Sequence, residues 1–170
     1  MFQGIIIAVI ALLVGLDQLT KWLVLAYVQG KPDGITFIPG IMDFEFYGNE
    51  GAMMGIFEGE RLFLVALTAL VIVAFLAVTL FGKFRHYVLF NISATLIIAG
   101  GIGNLIDRLV HGFVVDFLKT TFMSFPIFNV ADCFVVVGSV LLLVFFLFFY
   151  EEKAPLEAAN GNETDSAPRS

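Results

Sequence analysis

Four times along the chain, twenty or more residues pass with few or no charges: about Gly4 to Val28, Leu62 to Phe81, Tyr87 to Val110 and Ala131 to Tyr150. Crossing about 30 Å of hydrocarbon takes roughly 20 apolar residues at about 1.5 Å each, so each run is predicted to be a membrane-spanning helix. The first run has no basic segment before it and outlasts the apolar core of a signal peptide, which makes it a span. Composition closes the other routes. The chain is 59% hydrophobic and 14% charged, against about 45–50% and about 25% in soluble domains. So few charges cannot cover a globule of this size. A soluble enzyme, a nucleic-acid binder and a disordered chain are thereby excluded. The net charge of -6, with nine Lys and Arg scattered along the sequence, offers no basic patch for phosphates, so no nucleic-acid partner is expected. A single cysteine precludes an internal disulfide framework, and no Cys or His spacing suits a metal. No metal and no cofactor are expected.

The expected fold is an all-α membrane protein, a four-transmembrane-helix bundle with a small β-cradle or hairpin between helices 1 and 2. That cradle is placed at about residues 29–61, where Pro32-Asp33-Gly34 and Pro39-Gly40 mark turns. There Met42, Phe44 and Phe46 alternate with Asp43 and Glu45 in strand fashion. Residues 1–150 read as one domain, with Glu151 to Ser170 as a disordered cytoplasmic tail lacking apolar periodicity. Four Lys or Arg (Lys83, Arg85, Lys153, Arg169) share the side of the termini, against Lys31, Arg61 and Lys119 opposite. This weakly places the termini in the cytoplasm. Antiparallel spans bring the end of span 1, the hairpin, the end of span 3 and the start of span 4 to one membrane face. Most of the unusual polar residues fall there.

Asp17 and Lys21, at i and i+4 in the first span, suit a helical ion pair. Each costs about 2.5–3.5 kcal/mol at mid-bilayer unless it faces protein or water. A purely structural pair and a part in a site are both open readings. Span 3 ends Gly100-Gly101-Ile102-Gly103-Asn104-Leu105-Ile106-Asp107-Arg108. Its glycines permit close helix approach, and Asn104, Asp107 and Arg108 share one face, either as a polar knot (with Asp107 paired to Arg108 or to another group) or as a site. Asn129 is placed to N-cap span 4, with Asp132 in its first turn. Good capping alone accounts for Asp132, and a surface loop accounts for Asp116. Yet both acids sit in apolar sequence on one side, joined by fifteen residues.

Two carboxylates close together in a poorly solvated place share a proton. The ionised one can then activate water while the protonated one polarises an amide carbonyl. Nucleophile chemistry fits less well: no Ser stands in a Gly-x-Ser-x-Gly setting, and Cys133 reads as a packing residue. A proton-coupled transporter would need acids lining a path across the bilayer, and these gather at one face. A structural bundle without activity is the remaining alternative.

These motifs resemble those of the lipoprotein signal peptidase (signal peptidase II) family of bacterial aspartic proteases. The match runs in order through Asp17-Gln18-Leu19-Thr20-Lys21, Asn49-Glu50-Gly51-Ala52, Gly100 to Arg108, Val114 to Phe117 and Phe128 to Asp132. The resemblance implies four spans with an extracytoplasmic β-cradle, and cleavage just before the diacylglyceryl-modified lipobox cysteine of prolipoproteins. It puts the catalytic pair on Asp116 and Asp132, and supporting roles on Asn49, Asn104, Arg108 and Asn129, with Asp17, Lys21 and Asp107 also in its motifs. It further implies a multi-pass inner-membrane location with an extracytoplasmic site, contact with membrane lipid, a monomer, and inhibition by globomycin. Met53-Met54-Gly55 departs from the family's usual Ala-Phe-Gly, which bears on lid packing and inhibitor fit.

Overall fold

A computed structural model describes residues 2–51 and 59–150. The Met53-Met54-Gly55 departure and the tail from Glu151 lie outside the described residues. The four apolar runs form α1 (Phe2–Tyr27), α2 (Arg61–Phe81), α3 (Val88–Val110) and α4 (Val130–Val144). α4 continues as a wider π turn over Phe145–Phe149, so the fourth span reaches Phe149. The four spans were legible to within one or two residues at each end.

α3 is the central helix: 56% of its span is buried, against 17% for each of the others. Small residues put it there. A methyl on Gly100 would run into the Ala131 carbonyl of α4, and one on Gly103 would run into the Asp17 carboxylate of α1. Such close backbone approach is what drives helix association where lipid removes the hydrophobic incentive. The half of the bundle remote from the sheet packs around Ile6, Ile10, Ile72, Phe90, Ala94, Ile98 and Phe145. There Lys83, in the short connection to α3, donates to the Tyr150 hydroxyl at 2.7 Å.

The opposite end carries a three-stranded antiparallel sheet, β1 (Ile35–Ile38), β2 (Met42–Asn49) and β3 (Val114–Thr120), in that spatial order. The β1–β2 turn closes through Ile41 N–H to Ile38 C=O at 3.0 Å, with Gly40 at a φ of 73° supplying the left-handed residue that a type II turn requires. The hairpin of residues 29–61 was expected; the third strand was not. Segment 114–120, read from sequence as loop, pairs with β2 in the register Tyr47↔Asp116 and Asn49↔Val114. Val114 to Phe117 are buried on both faces, which erases the period-2 signature of a half-exposed strand. Val115 and Phe117 pack on Val24 and Val28 at the end of α1. Asp116 therefore points the other way, and it is a buried strand residue, not a surface-loop acid.

Candidate active site

Asn129 and Asp132 form a capping box on α4: the Asn129 side chain accepts from the Asp132 N–H at 2.9 Å, and the Asp132 carboxylate accepts from the Asn129 N–H at 3.0 Å. With its oxygen committed, Asn129 directs its Nδ2 outward, donating to Asp116 Oδ1 at 2.7 Å and to Asn104 Oδ1 at 3.0 Å. Asn104 Nδ2 donates to Asp132 Oδ1 at 2.8 Å, and Asn49 Nδ2 donates to Asp116 Oδ2 at 2.8 Å. Every oxygen of both carboxylates thus accepts one hydrogen bond. Three asparagines bind β2, α3, β3 and α4 into a single polar constellation.

Behind it lies a second cluster. Lys21 Nζ contacts Asp17 Oδ2, Asp107 Oδ2 and Asn104 Oδ1, each at 2.9 Å. Asp17 also accepts from the Ala131 N–H at 3.0 Å, and Asp107 from the Val115 N–H at 2.9 Å. Each acid therefore ties the ammonium to the backbone next to a candidate catalytic carboxylate. Gln18 completes the cluster by donating to Asp107 Oδ1 at 2.9 Å and to the Gly103 carbonyl at 3.1 Å. The Asp17–Lys21 pair expected from the spacing is present. The ion partner of Asp107 is Lys21 and not the adjacent Arg108. Arg108 turns instead to the Gly51 carbonyl at 2.9 Å, and its buried Nε has no partner among the described residues.

Asp116 and Asp132 both line a cavity of about 520 Å³, with Asn49, Asn104 and Arg108 beside them. The rest of its wall is largely apolar: Phe125, Pro126, Ile127 and Phe128 from the segment before α4, and Val135, Val136 and Val137 from α4 itself. Burial in this setting pushes the Asp116 carboxyl up to about 7, reinforced by the negative charge of Asp132. Among the described residues no group of His, Cys and acids is arranged to hold a metal ion. What the arrangement offers is two acids, bridged by Asn129, beside an apolar slot.

The sequence profile of the Signal peptidase (SPase) II family matches residues 9–148. The chain belongs to the signal peptidase II family. The lipoprotein signal peptidase of Enterococcus faecalis is 40% identical over 153 residues, covering 89% of this chain and 91% of that protein. The lipoprotein signal peptidase of Listeria monocytogenes serotype 4a is 44% identical over 137 residues, covering 78% and 86%. Two solved bacterial membrane enzymes, determined in meso at 2.3 Å and 1.9 Å resolution, superpose with TM-scores of 0.78 and 0.76 at 29% and 31% identity. The first match covers 96% of this chain and 95% of that one; the second covers 86% and 95%. This signal peptidase II is thus a multi-pass membrane peptidase.

Of the nine residues singled out in the sequence, Asn49, Asn104, Arg108, Asp116 and Asp132 meet at the cavity, Asn129 bridges the two acids, and Asp17, Lys21 and Asp107 stand one layer behind. Three contributors went unread. Gln18 lies inside a quoted motif, and an amide next to an intramembrane acid is a signal in itself. Gly51 and Phe128 also lie inside quoted motifs, while the rest of the apolar wall, at residues 125–127 and 135–137, carries no sequence mark beyond hydrophobicity.

Proposed function

We propose that this peptidase hydrolyses the peptide bond immediately before the diacylglyceryl-modified cysteine of prolipoproteins, with Asp116 and Asp132 as its catalytic pair. The carrying observation is that Asn129 hydrogen-bonds to both carboxylates while Asn49 and Asn104 hold their other oxygens, with both acids lining a largely apolar cavity. Asp116, with its carboxyl raised to about 7, is the member that carries the proton near neutrality, and Asp132 acts as base. Asp132 takes a proton from water as the oxygen attacks the carbonyl carbon, and Asp116 gives its proton to the carbonyl oxygen. As the tetrahedral intermediate collapses, the C–N bond breaks and the amide nitrogen leaves with the proton held by Asp132. Asp116 recovers its own proton as the carbonyl re-forms. The products are a signal peptide with a new carboxylate and a lipidated cysteine with a free amine. Arg108 and the asparagines are placed to hold the substrate backbone, and the acyl chains, kept in the bilayer, fix the depth of the scissile bond.

The same reading places the sheet and cavity at the extracytoplasmic face, with residues 2 and 150 towards the cytoplasm. Residues 1–150 act as a single peptidase domain and a monomer, which binds no nucleic acid and is inhibited by globomycin. The deciding experiment incubates the purified protein with diacylated and unmodified forms of one prolipoprotein. Cleavage of the diacylated form alone is expected, and both Asp116→Asn and Asp132→Asn lower the rate by about a thousandfold or more. Near-normal turnover by either variant would refute the assignment.

A further inference from the structure

Arg108 is a buried cation whose one short contact is a peptide carbonyl. It is 8% exposed, and among the described residues it forms no ion pair. Its Nη2 donates to the Gly51 carbonyl at 2.9 Å, while Nη1 reaches the Asn104 carbonyl of its own helix only at 3.5 Å. Taking a guanidinium out of water is costly unless its hydrogen bonds are used, so what the short bond holds matters. Gly51 is buried just past β2, beyond the last ladder pair, Asn49↔Val114. Its N–H donates to Asn49 Oδ1 at 3.0 Å, closing an Asx turn. With that oxygen occupied, Asn49 presents its Nδ2 to Asp116 Oδ2 at 2.8 Å. A reversed amide would set donor against donor at Gly51 and lose the bond to the acid. The contacts therefore run in series, from Arg108 to Gly51, from Gly51 to Asn49 and from Asn49 to Asp116. The other Asp116 oxygen depends on Asn129, which the α4 capping box fixes within one turn.

We propose that Arg108 is a positioning residue: by gripping the Gly51 carbonyl it fixes the Asn49 amide on Asp116, and so tunes the proton-carrying acid without a bond to it. This rests on the catalytic assignment of Asp116 and gives Arg108 a role directed inward, beside its contact with the substrate backbone. A donor to a carboxylate favours the ionised form. Burial raises the Asp116 carboxyl, Asp132 adds to the rise, and the Asn49 bond opposes it. Releasing Gly51 weakens that bond, so Asp116 then holds its proton to higher pH. The charged or titratable groups facing Asp116 are Asp132 from α4, Lys21 from α1, Arg108 from α3 and Tyr47 across the ladder from β2. Removing the Arg108 charge acts through space in the same direction, and a double-mutant cycle separates the two routes.

The cycle uses the full chain in micelles, with Arg108→Met, Asn49→Ala and the two combined, each assayed for cleavage of a diacylated prolipoprotein across pH. Each single variant is expected to move the basic limb of kcat/KM up by about one unit. The double variant is expected to move it no further than Asn49→Ala alone, because the chain of bonds is already cut. Shifts that add would overturn the proposal and leave Arg108 acting by its charge. A limb that stays in place in Arg108→Met, with the rate lowered equally at every pH or KM alone raised, would overturn it as well. Where Arg108→Met does not fold, Arg108→Gln, a shorter side chain without the charge, takes its place. Variants too slow to assay are compared without turnover, by the melting-temperature difference between each chain and its Asp116→Asn counterpart. The pH at which that difference levels off follows the Asp116 proton and should move upward in the same non-additive way. Failure of the dyad assignment shows separately, as cleavage retained by Asp116→Asn, while the melting comparison still reads the effect of Arg108 on Asp116.

Discussion

Asp116 is the residue whose chemistry depends most on its surroundings. Isolated on a strand it would ionise near 3.8; buried between β2 and α4, facing Asp132, it holds its proton to about 7. Two outcomes follow from that one displacement. In the proposed mechanism catalysis needs this proton, so kcat/KM is expected to fall as pH rises through about 7, and a rate profile flat to pH 9 would contradict it. The second outcome concerns stability. A group that binds its proton more tightly folded than unfolded supports folding fully below its unfolded value of 3.8, and that support is lost as pH rises through about 7. Asp116→Asn cannot ionise, so its melting temperature relative to the parent should climb between about pH 4 and pH 7 and then level off. A constant difference across that range would mean that Asp116 titrates like an exposed acid. The capping box of Asn129 and Asp132 was readable because its partners lie three residues apart. The bond from Lys21 to Asn104 was not, because 83 residues separate them and only the packing of α1 on α3 joins them.

The elements bring the site together by approaching one another closely. α1, α3 and the start of α4 converge where Gly103 leaves room for the Asp17 carboxylate and for Ala131, whose Cβ would lie 3.2 Å from a methyl at that position. Gly103→Ala is therefore expected to cost about 1–3 kcal/mol of stability and to lower cleavage by displacing Asp17 from Lys21 and from the Ala131 N–H. Gly15→Ala is the control, since a methyl there meets nothing within 4 Å. It should leave melting unchanged or raise it by up to about 1 kcal/mol through helix propensity. Equal melting temperatures for the two variants in micelles would show that the approach at Gly103 is not limiting. The glycine cluster could be seen in the sequence as a packing face, but its partners could not. β3 escaped for a related reason: a strand covered on both sides shows no alternation, and its identity comes from pairing with a strand 67 residues away, the separation of Asn49 and Asp116.

Across the whole molecule, charge and hydrophobicity are sorted by end. Every buried charged residue among those described (Asp17, Lys21, Asp107, Arg108 and Asp116) lies in the half that carries the sheet. The other half closes over Phe84, Phe90, Phe145 and Tyr150 in edge-on and tilted ring contacts. A polar path across the bilayer would need acids in both halves, and the aromatic half supplies none among its buried described residues. Which end faces outward is a separate matter. Four basic residues against three is too even a count for loop charge to decide. The proposed function gives a stronger expectation, since cleavage of exported chains whose lipid stays in the bilayer calls for a dyad at the extracytoplasmic surface. On that proposal Asp33, in the connection before β1, is expected outside and position 160, which follows the fourth span in the sequence, inside. In intact spheroplasts a membrane-impermeant thiol reagent should label Asp33→Cys and spare Asn160→Cys, after subtraction of any signal from Cys133 in the parent chain. Inside-out vesicles should give the reverse. Labelling of Asn160→Cys in intact spheroplasts would turn the molecule over and place the dyad on the side its substrates have already left.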